Sequence, residues 1–444
     1  MASMKRWAIT AAMTAALAVP VTAFATTAGY FMLGYSSKND GLAGAAVALP
    51  EDAMAQAANP AGIAFVGNRF DIGAAFFVPE RGYSQTNPNS AFPMACTYCG
   101  SNSTFFIIPH VAVTYGLGED SAVGLAMYAN GGMSTNYNTP SYAVGTGSGF
   151  NNGGPYGAGG SGAPAGISAQ TGVNFKQLFM QATYAYKFAR HDSVGLGLLY
   201  VRQYFSDSGL AGFKTYSTVP QAISNNGVDM GTGFGVRLGT QVQLMRDLDF
   251  GLSYTPEIHM SRFLGYQGLF ADHGNFNIPQ NWTAGLAFKP VRNQAIAFDF
   301  ERIYYNAIPS VGNLANGIAT GARLGAENGP GFGWADISVY KLGYQIATSR
   351  TWTWRVGFAY NTEPVSPNQL LFNVLAPGVI QRDVTAGFTM HMAHNQDLTV
   401  AAMYGMPKKV YWNGDATTGV PAFGSANYVY LHEYQVDANW GIKF

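Results

Sequence analysis

Few side chains in this 444-residue chain could do covalent or metal chemistry. Its two cysteines, Cys96 and Cys99, form a Cys-x-x-Cys in a stretch rich in Pro and Asn. In an exported chain this spacing predicts a small structural disulfide. A redox-active pair would need a helix N-terminus or basic neighbours to lower a thiol pKa, and the flanking residues supply neither. A zinc site would need more ligands, and no histidine lies close by. Among the seven histidines, His191 and His394 fall in predicted short turns, and His259 and His273 fall in one long loop. His391 sits beside Thr389 with no evident partner. No Gly-x-Ser-x-Gly element or metal-ligand spacing occurs. The chain is therefore not expected to be an enzyme, and no cofactor or metal is called for.

The elements that must position these groups are strands. In 428–444, Tyr434, Val436, Ala438, Trp440, Ile442 and Phe444 alternate with Glu433, Gln435, Asp437, Asn439, Gly441 and Lys443. A period of two places the sets on opposite faces of one strand. The same alternation recurs around Trp352 to Tyr360, Val384 to Met392, Leu248 to Tyr254 and Ile296 to Phe300. Charged residues are 11% of the chain, well below the roughly 25% of soluble domains. After the N-terminal stretch no run of apolar residues is long enough for a membrane helix. Apolarity spread over many short alternating segments predicts a transmembrane β-barrel, which satisfies every backbone group without water. The net charge of zero gives no reason to expect a nucleic-acid partner.

Residues 1–25 read as a secretory signal: Lys5 and Arg6 begin it, an Ala-rich apolar run follows, and Ala23-Phe24-Ala25 offers a cleavage site. Fourteen antiparallel strands are predicted at 68–79, 108–117, 121–130, 176–189, 193–206, 231–245, 248–256, 281–289, 294–305, 334–348, 351–361, 382–393, 397–405 and 428–444. Short turns then alternate with long loops, as in outer-membrane barrels with short periplasmic and long external connections. Residues 26–66 differ from the rest, being rich in Ala and Gly and interrupted by Pro50 and Pro60. Such a segment suits short broken helices, either as a hatch within the barrel 67–444 or as a periplasmic tail.

With these features the chain resembles the FadL-type outer-membrane transporters (the OmpP1/FadL/TodX family) over nearly its whole mature length. The resemblance is carried by the Ala-Gly-Tyr-Phe start at Ala28, the run Gly41 to Ala46, and Asn59-Pro60-Ala61-Gly62 just before strand one. Asn277-Ile278-Pro279-Gln280-Asn281-Trp282, Trp354 to Tyr360 and Glu363-Pro364-Val365 add to it. It implies a fourteen-stranded barrel plugged by a small helical hatch. It also implies passive transport of long-chain fatty acids or other hydrophobic molecules across the bacterial outer membrane. External loops would capture the ligand, the hatch would move, and release would be sideways, beside a kinked third strand. The matching interruption here is Asn130, Gly131 and Gly132, although these residues could simply begin the following loop. Asn59, Pro60 and Ala61 would couple ligand arrival to hatch movement. A monomer in contact with outer-membrane lipid is expected.

Loop 131–175 carries no charged residue, which suits an apolar ligand better than the charged constriction of a porin. A fatty acid would also want a cation for its carboxylate. Arg202 and Lys341 sit where the family has strand-borne basic residues. Lumenal ion pairs, for example with Asp336 or Glu301, are the competing role for them. If neither meets a ligand, an uncharged hydrocarbon becomes the better substrate. A general porin for polar solutes and an aromatic-hydrocarbon channel of the same family are the alternative readings.

Overall fold

Alternation along each segment becomes a closed wall in the computed structural model, which describes residues 28–85, 96–137, 170–413 and 426–444. The predicted signal at 1–25 and most of loop 131–175 lie outside the described residues. The strands are β1 (Arg69–Gln85), β2 (Cys96–Gly100), β3 (Phe106–Gly116), β4 (Ser121–Ser134), β5 (Gly172–Ala189), β6 (Asp192–Ser208), β7 (Asp229–Met245) and β8 (Leu248–Thr255). They continue as β9 (Asn281–Phe288), β10 (Gln294–Ile303), β11 (Ile337–Ala347), β12 (Trp352–Asn361), β13 (Arg382–Met392), β14 (Gln396–Tyr411) and β15 (Tyr428–Lys443). Each of β3 to β15 pairs antiparallel with its neighbours in sequence, and β1 joins β3 on one side and β15 on the other. The closure runs from Arg69↔Lys443 to Ser84↔Tyr428, so the barrel has no free edge.

Fourteen strands make the barrel, as the alternation predicts, and β2 is an addition within the expected loop 80–107. It pairs with the outer end of β1, at Gly82↔Gly100 and Tyr83↔Cys99. Cys99 is disulfide-bonded. β1 also runs past Pro79, where the sequence predicts its end. Proline has no N–H to give, but the β1–β3 ladder has already stopped at Phe77↔Phe106, so nothing is lost there. β14 likewise continues to Tyr411, shifting register between Gly405 and Lys408 on either side of Pro407.

Side chains divide as the period of two requires. Trp354, Val356 and Phe358 on β12, and Tyr434 and Val436 on β15, are exposed on the outer face. Thr353, Arg355, Glu433, Gln435 and Asp437 are buried within. Outer rings meet between adjacent strands: Tyr404 stacks on Tyr434 at 5.0 Å, and Phe300 meets Tyr340 edge to face at 5.2 Å.

Residues 28–66 lie within the barrel and are buried nearly throughout. Their helices are single turns, Ser37–Asp40 and Ala55–Ala58, followed by the 3-10 stretch Pro60–Phe65. These turns are too short to be stable alone. Beyond their internal bonds they are tied to the wall, where the Ser37 hydroxyl donates to Asp437 and the Ser193 hydroxyl donates to Ala61 O.

Candidate functional site: a two-layered lumen and a break in its wall

The inward faces of the strands change character along the barrel axis. On β15 they read Val429 and Leu431 near the long loops, then Glu433, Gln435, Asp437 and Asn439 toward the short turns. On β11, Ile337 and Val339 precede Lys341. The long-loop half of the lumen is therefore apolar, and much of its surface is aromatic. Tyr30 of the N-terminal segment stands among Phe175 (6.0 Å), Tyr305 (4.9 Å) and Trp334 (5.9 Å). Phe276 lies 4.6 Å from Phe175, and Phe270 lies 4.6 Å from Phe205. The Tyr305 hydroxyl donates to Ala28 O (2.7 Å) and accepts from the Tyr30 N–H (3.2 Å), tying the segment's start to the loop after β10. Such a lining can hold apolar surface away from water.

Beside this layer the wall is broken. The β3–β4 ladder extends only from Gly116↔Ala122 to Val111↔Met127. Beyond Met127 both faces of β4 are buried, because the strand turns inward. Its new partner is the N-terminal segment: Met32 N–H donates to Asn130 O (2.9 Å) and Gly132 N–H to Tyr30 O (3.1 Å). On the other edge the β4–β5 register slips between Ala129 and Gly131, leaving Asn130 as a bulge. A side chain on Gly131 would place its Cβ 1.7 Å from Tyr30 O, so only glycine admits this contact. Pro109, with no N–H, lies in the part of β3 without a β4 partner. Met32 fills the space inside the break, packed with Ala75, Phe77, Phe106, Ile108 and Ala129. Asn130, Gly131 and Gly132 thus mark a departure of β4 from the wall, not merely the start of a loop.

The short-turn half of the lumen is charged and grips the same segment. Asp299 accepts from the N–H groups of Ala46 and Val47 at 2.8 and 3.0 Å, and Asp71 accepts from Ala53 at 2.9 Å. Lys38 and Arg69 meet Asp397 at 3.2 and 2.8 Å, and Arg69 also bonds Asp71 through Nε at 2.7 Å. Arg355 pairs with Glu51 at 3.2 Å. Burial pushes the Glu51 carboxyl up, but Arg355 and Lys38 outweigh it and hold it below the usual range. Asp52 goes the other way, raised by burial and by the neighbouring Asp71 charge. Asn59 seats the following turn: its Nδ2 donates to Val47 O and Thr240 O at 2.8 and 2.9 Å, and its Oδ1 caps Ala61 N–H at 3.1 Å. Pro60 lies flat on the wall because Gly195 and Gly239 have no side chain there. A Cβ on either would fall 2.4 Å from Pro60 C or 2.0 Å from Asn59 Oδ1. Below the segment a basin of about 1030 Å³ opens among the short turns, lined by Lys38, Glu51, Arg69, Arg355, His391 and Asp397.

Residues 18–152 match the family model described as outer membrane protein transport protein (OMPP1/FadL/TodX). The fold is the closed fourteen-stranded barrel of that family's solved structures. The chain shares its fold with FadL-type outer-membrane barrels of known structure. It is similar to a Pseudomonas aeruginosa FadL homologue (TM-score 0.66, 13% identity, 94% of this chain and 100% of that one). It is also similar to the Ralstonia pickettii toluene transporter TbuX (0.61, 17%, 93% and 99%) and the Pseudomonas putida toluene transporter TodX (0.62, 16%, 94% and 99%). No curated protein matches it.

In this barrel the two candidate head-group cations, Arg202 and Lys341, do not meet in the lumen. Arg202 shares the outward parity of Leu196 and Leu198, and its Nε donates to the Tyr200 hydroxyl at 3.1 Å. Its facing, open in the sequence, is outward: inward positions on β6 are odd-numbered, as Val201 and Gln203 show. Lys341 points inward, sharing the parity of Ile337 and Val339, which line the apolar layer. Its ammonium is committed to Glu301 at 2.9 Å and to Leu33 O at 2.9 Å. Asp336, the other expected partner, pairs with Arg302 instead. His391, partnerless in the sequence, meets Asp397 at 2.6 Å because the two stand opposite each other on β13 and β14. Its other nitrogen lies 3.1 Å from the Thr353 hydroxyl. Asp397 is shared with Lys38 and Arg69, so this chain of hydrogen bonds belongs to the grip on the N-terminal segment.

Proposed function

We propose that this barrel carries hydrophobic molecules passively across the outer membrane, with 26–66 acting as a hatch and 1–25 as a cleaved signal. The external loops take up the ligand into the apolar layer. Displacement of the segment at Tyr30–Met32 then opens the break between β3 and β4, and the ligand leaves sideways into lipid. The inward turn of β4 at Asn130, where the wall exchanges its β3 partner for the N-terminal segment, carries this reading. A porin for polar solutes is disfavoured by the aromatic lining of the upper lumen. Asn59, Pro60 and Ala61 would transmit hatch movement from the wall at β6 and β7.

Uncharged ligands, such as the toluene named for TbuX and TodX, fit better than long-chain fatty acids. Arg202 faces outward and Lys341 is already paired, so neither is free to receive a carboxylate. The test is uptake of labelled toluene, oleate and a sugar by cells lacking their own transporters for these compounds, with and without this chain. Toluene entry without sugar entry is expected, with oleate slower than toluene. Sugar entry would sink the proposal. Pro60→Ala is expected to reduce toluene uptake while the barrel still assembles, as judged by heat-modifiable migration on gels.

A further inference from the structure

Arg202 stands on the outer wall, where a charge must find a partner or water. Along β6 the outward set runs Leu196, Leu198, Tyr200, Arg202 and Tyr204, and the two leucines are exposed on the lipid side. The guanidinium lies over the Tyr200 ring at 5.6 Å, and its Nε bond to the Tyr200 hydroxyl aims it without neutralising it. Among the described residues it has no ion pair. Other charges at this end of the outer wall are paired within the protein, Arg302 with Asp336 at 3.4 Å and Glu80 with His432 at 3.2 Å. A second cation is its neighbour across the ladder. β5 sets Lys176 opposite Tyr204 and Leu178 opposite Arg202. Lys176 and Arg202 are therefore diagonal neighbours on one face, with Cβ atoms about 7–8 Å apart. Lys176 shares the outward parity of the exposed Tyr184 and Tyr186. On the next strand, β7, Arg202 faces Thr232, and the outward face from Met230 to Leu238 carries no acid.

The pair also sits at a defined height. From Tyr186 near the short turns to Lys176 near the long loops, β5 climbs about 25 Å, at about 3.3 Å per residue and a tilt of about 40°. That is the height of the apolar band of an outer-membrane barrel, so the two cations reach the head groups of the external leaflet. Below them Leu198 and Phe234 offer exposed apolar surface, with Phe234 78% exposed and its ring 5.1 Å from that of Tyr200. We propose that Arg202 and Lys176 form a site on the outer wall for a phosphate-bearing lipid head group, with the acyl chains lying on Leu198 and Phe234. Arginine matches phosphate with its forked donors, and lysine adds a second charge. The site lies outside the lumen, so it does not depend on what the barrel transports.

The test is native mass spectrometry of the full chain in mild detergent, offered diphosphoryl lipid A or the same lipid with both phosphates removed. The phosphorylated lipid is expected to be retained roughly thirtyfold better, about fivefold for each cation. Arg202→Gln/Lys176→Gln should abolish that preference while heat-modifiable migration shows the barrel intact. Arg202→Lys keeps the charge without the fork, and should weaken the preference by less. Arg382→Gln removes an outward charge elsewhere on the rim, on β13, and should leave the preference unchanged. Equal retention of the two lipids by the wild-type chain would overturn the site, and so would a preference that survives the double variant. An equal loss in Arg382→Gln would overturn it too, by showing a general attraction of charge. Inorganic pyrophosphate at the lipid's concentration should not displace it. Displacement would overturn the lipid assignment in favour of a soluble anion.

Discussion

The two halves of the lumen hold the same N-terminal segment by opposite means. Near the long loops, Tyr30 and Phe31 are held by rings: Tyr305, Phe175, Phe276 and Trp334. Near the short turns, Lys38, Glu51, Asp52 and Asn59 are held by ion pairs and hydrogen bonds to Arg355, Asp397, Thr240 and Ser36 of the segment itself. Apolar contacts are non-directional and can be exchanged for a ligand of similar polarity. Buried ion pairs are directional, and losing one partner leaves the other charge uncompensated. The contrast assigns yielding to the upper end of the segment and anchorage to the lower.

The comparison breaks most severely at Arg69. Arg69→Ala would leave Asp71 and Asp397 facing each other's charge beneath the hatch, with an expected loss of about 4 kcal/mol. Urea unfolding in lipid vesicles measures it, and protease cleavage within 28–66 should rise in parallel. Trp334→Ala removes a large ring from the upper layer and should cost about 3 kcal/mol, but it should leave 28–66 protected. If both variants expose the segment equally, the division into anchor and yielding end is wrong. Gly131→Val attacks the junction itself. Its side chain would collide with Tyr30 O, so residues 30–32 should leave β4 and toluene uptake should change, while the lower ion pairs keep the hatch in place. Spin labels at position 32 and in β3 would follow that separation.

Acid and base should separate the halves most gently. Glu51 has a folded pKa below its ordinary 4.5, so its stabilisation is complete above that value and disappears as pH falls through the depressed one. Glu363, in the loop after β12, is pushed up to about 8, chiefly by burial, with the Val365 N–H and Lys408 opposing. Its contribution has the opposite course: stability falls as pH rises from 4.5 toward 8, then levels. Arg355→Met should flatten the limb below pH 4.5, and Glu363→Gln the one between 4.5 and about 8, in melting profiles that span both.

Much of this organisation can be read directly from residue order. The alternation of Trp354, Val356 and Phe358 with Arg355 and Gly357 leaves one arrangement that spares lipid the charges, and strand number follows from counting such runs. The small, proline-broken character of 26–66 likewise sets it apart from the wall. Less legible were pairings that depend on neighbours in space. β2 is short and gains its place only from the outer end of β1. His391 acquires Asp397 through register across β13 and β14, a relation invisible along the chain. The outward turn of Arg202 follows from parity on β6, which the aromatic ends of that strand obscure.

What the sequence determined alone was the barrel, its strand count, its inside and outside, and the family it resembles, because side-chain period and backbone satisfaction in lipid admit few alternatives. What only the tertiary structure decided was where the wall opens and which polar groups remain unspent. The inward turn at Asn130 requires the Tyr30 carbonyl to be waiting for Gly132. Lys341 is closed to a ligand because Glu301 and Leu33 already hold it. Neither oxygen of Asp383 meets a hydrogen-bond donor among the described residues. Such outcomes depend on residues tens to hundreds of positions apart meeting in one lumen, and local pattern carries no record of those meetings.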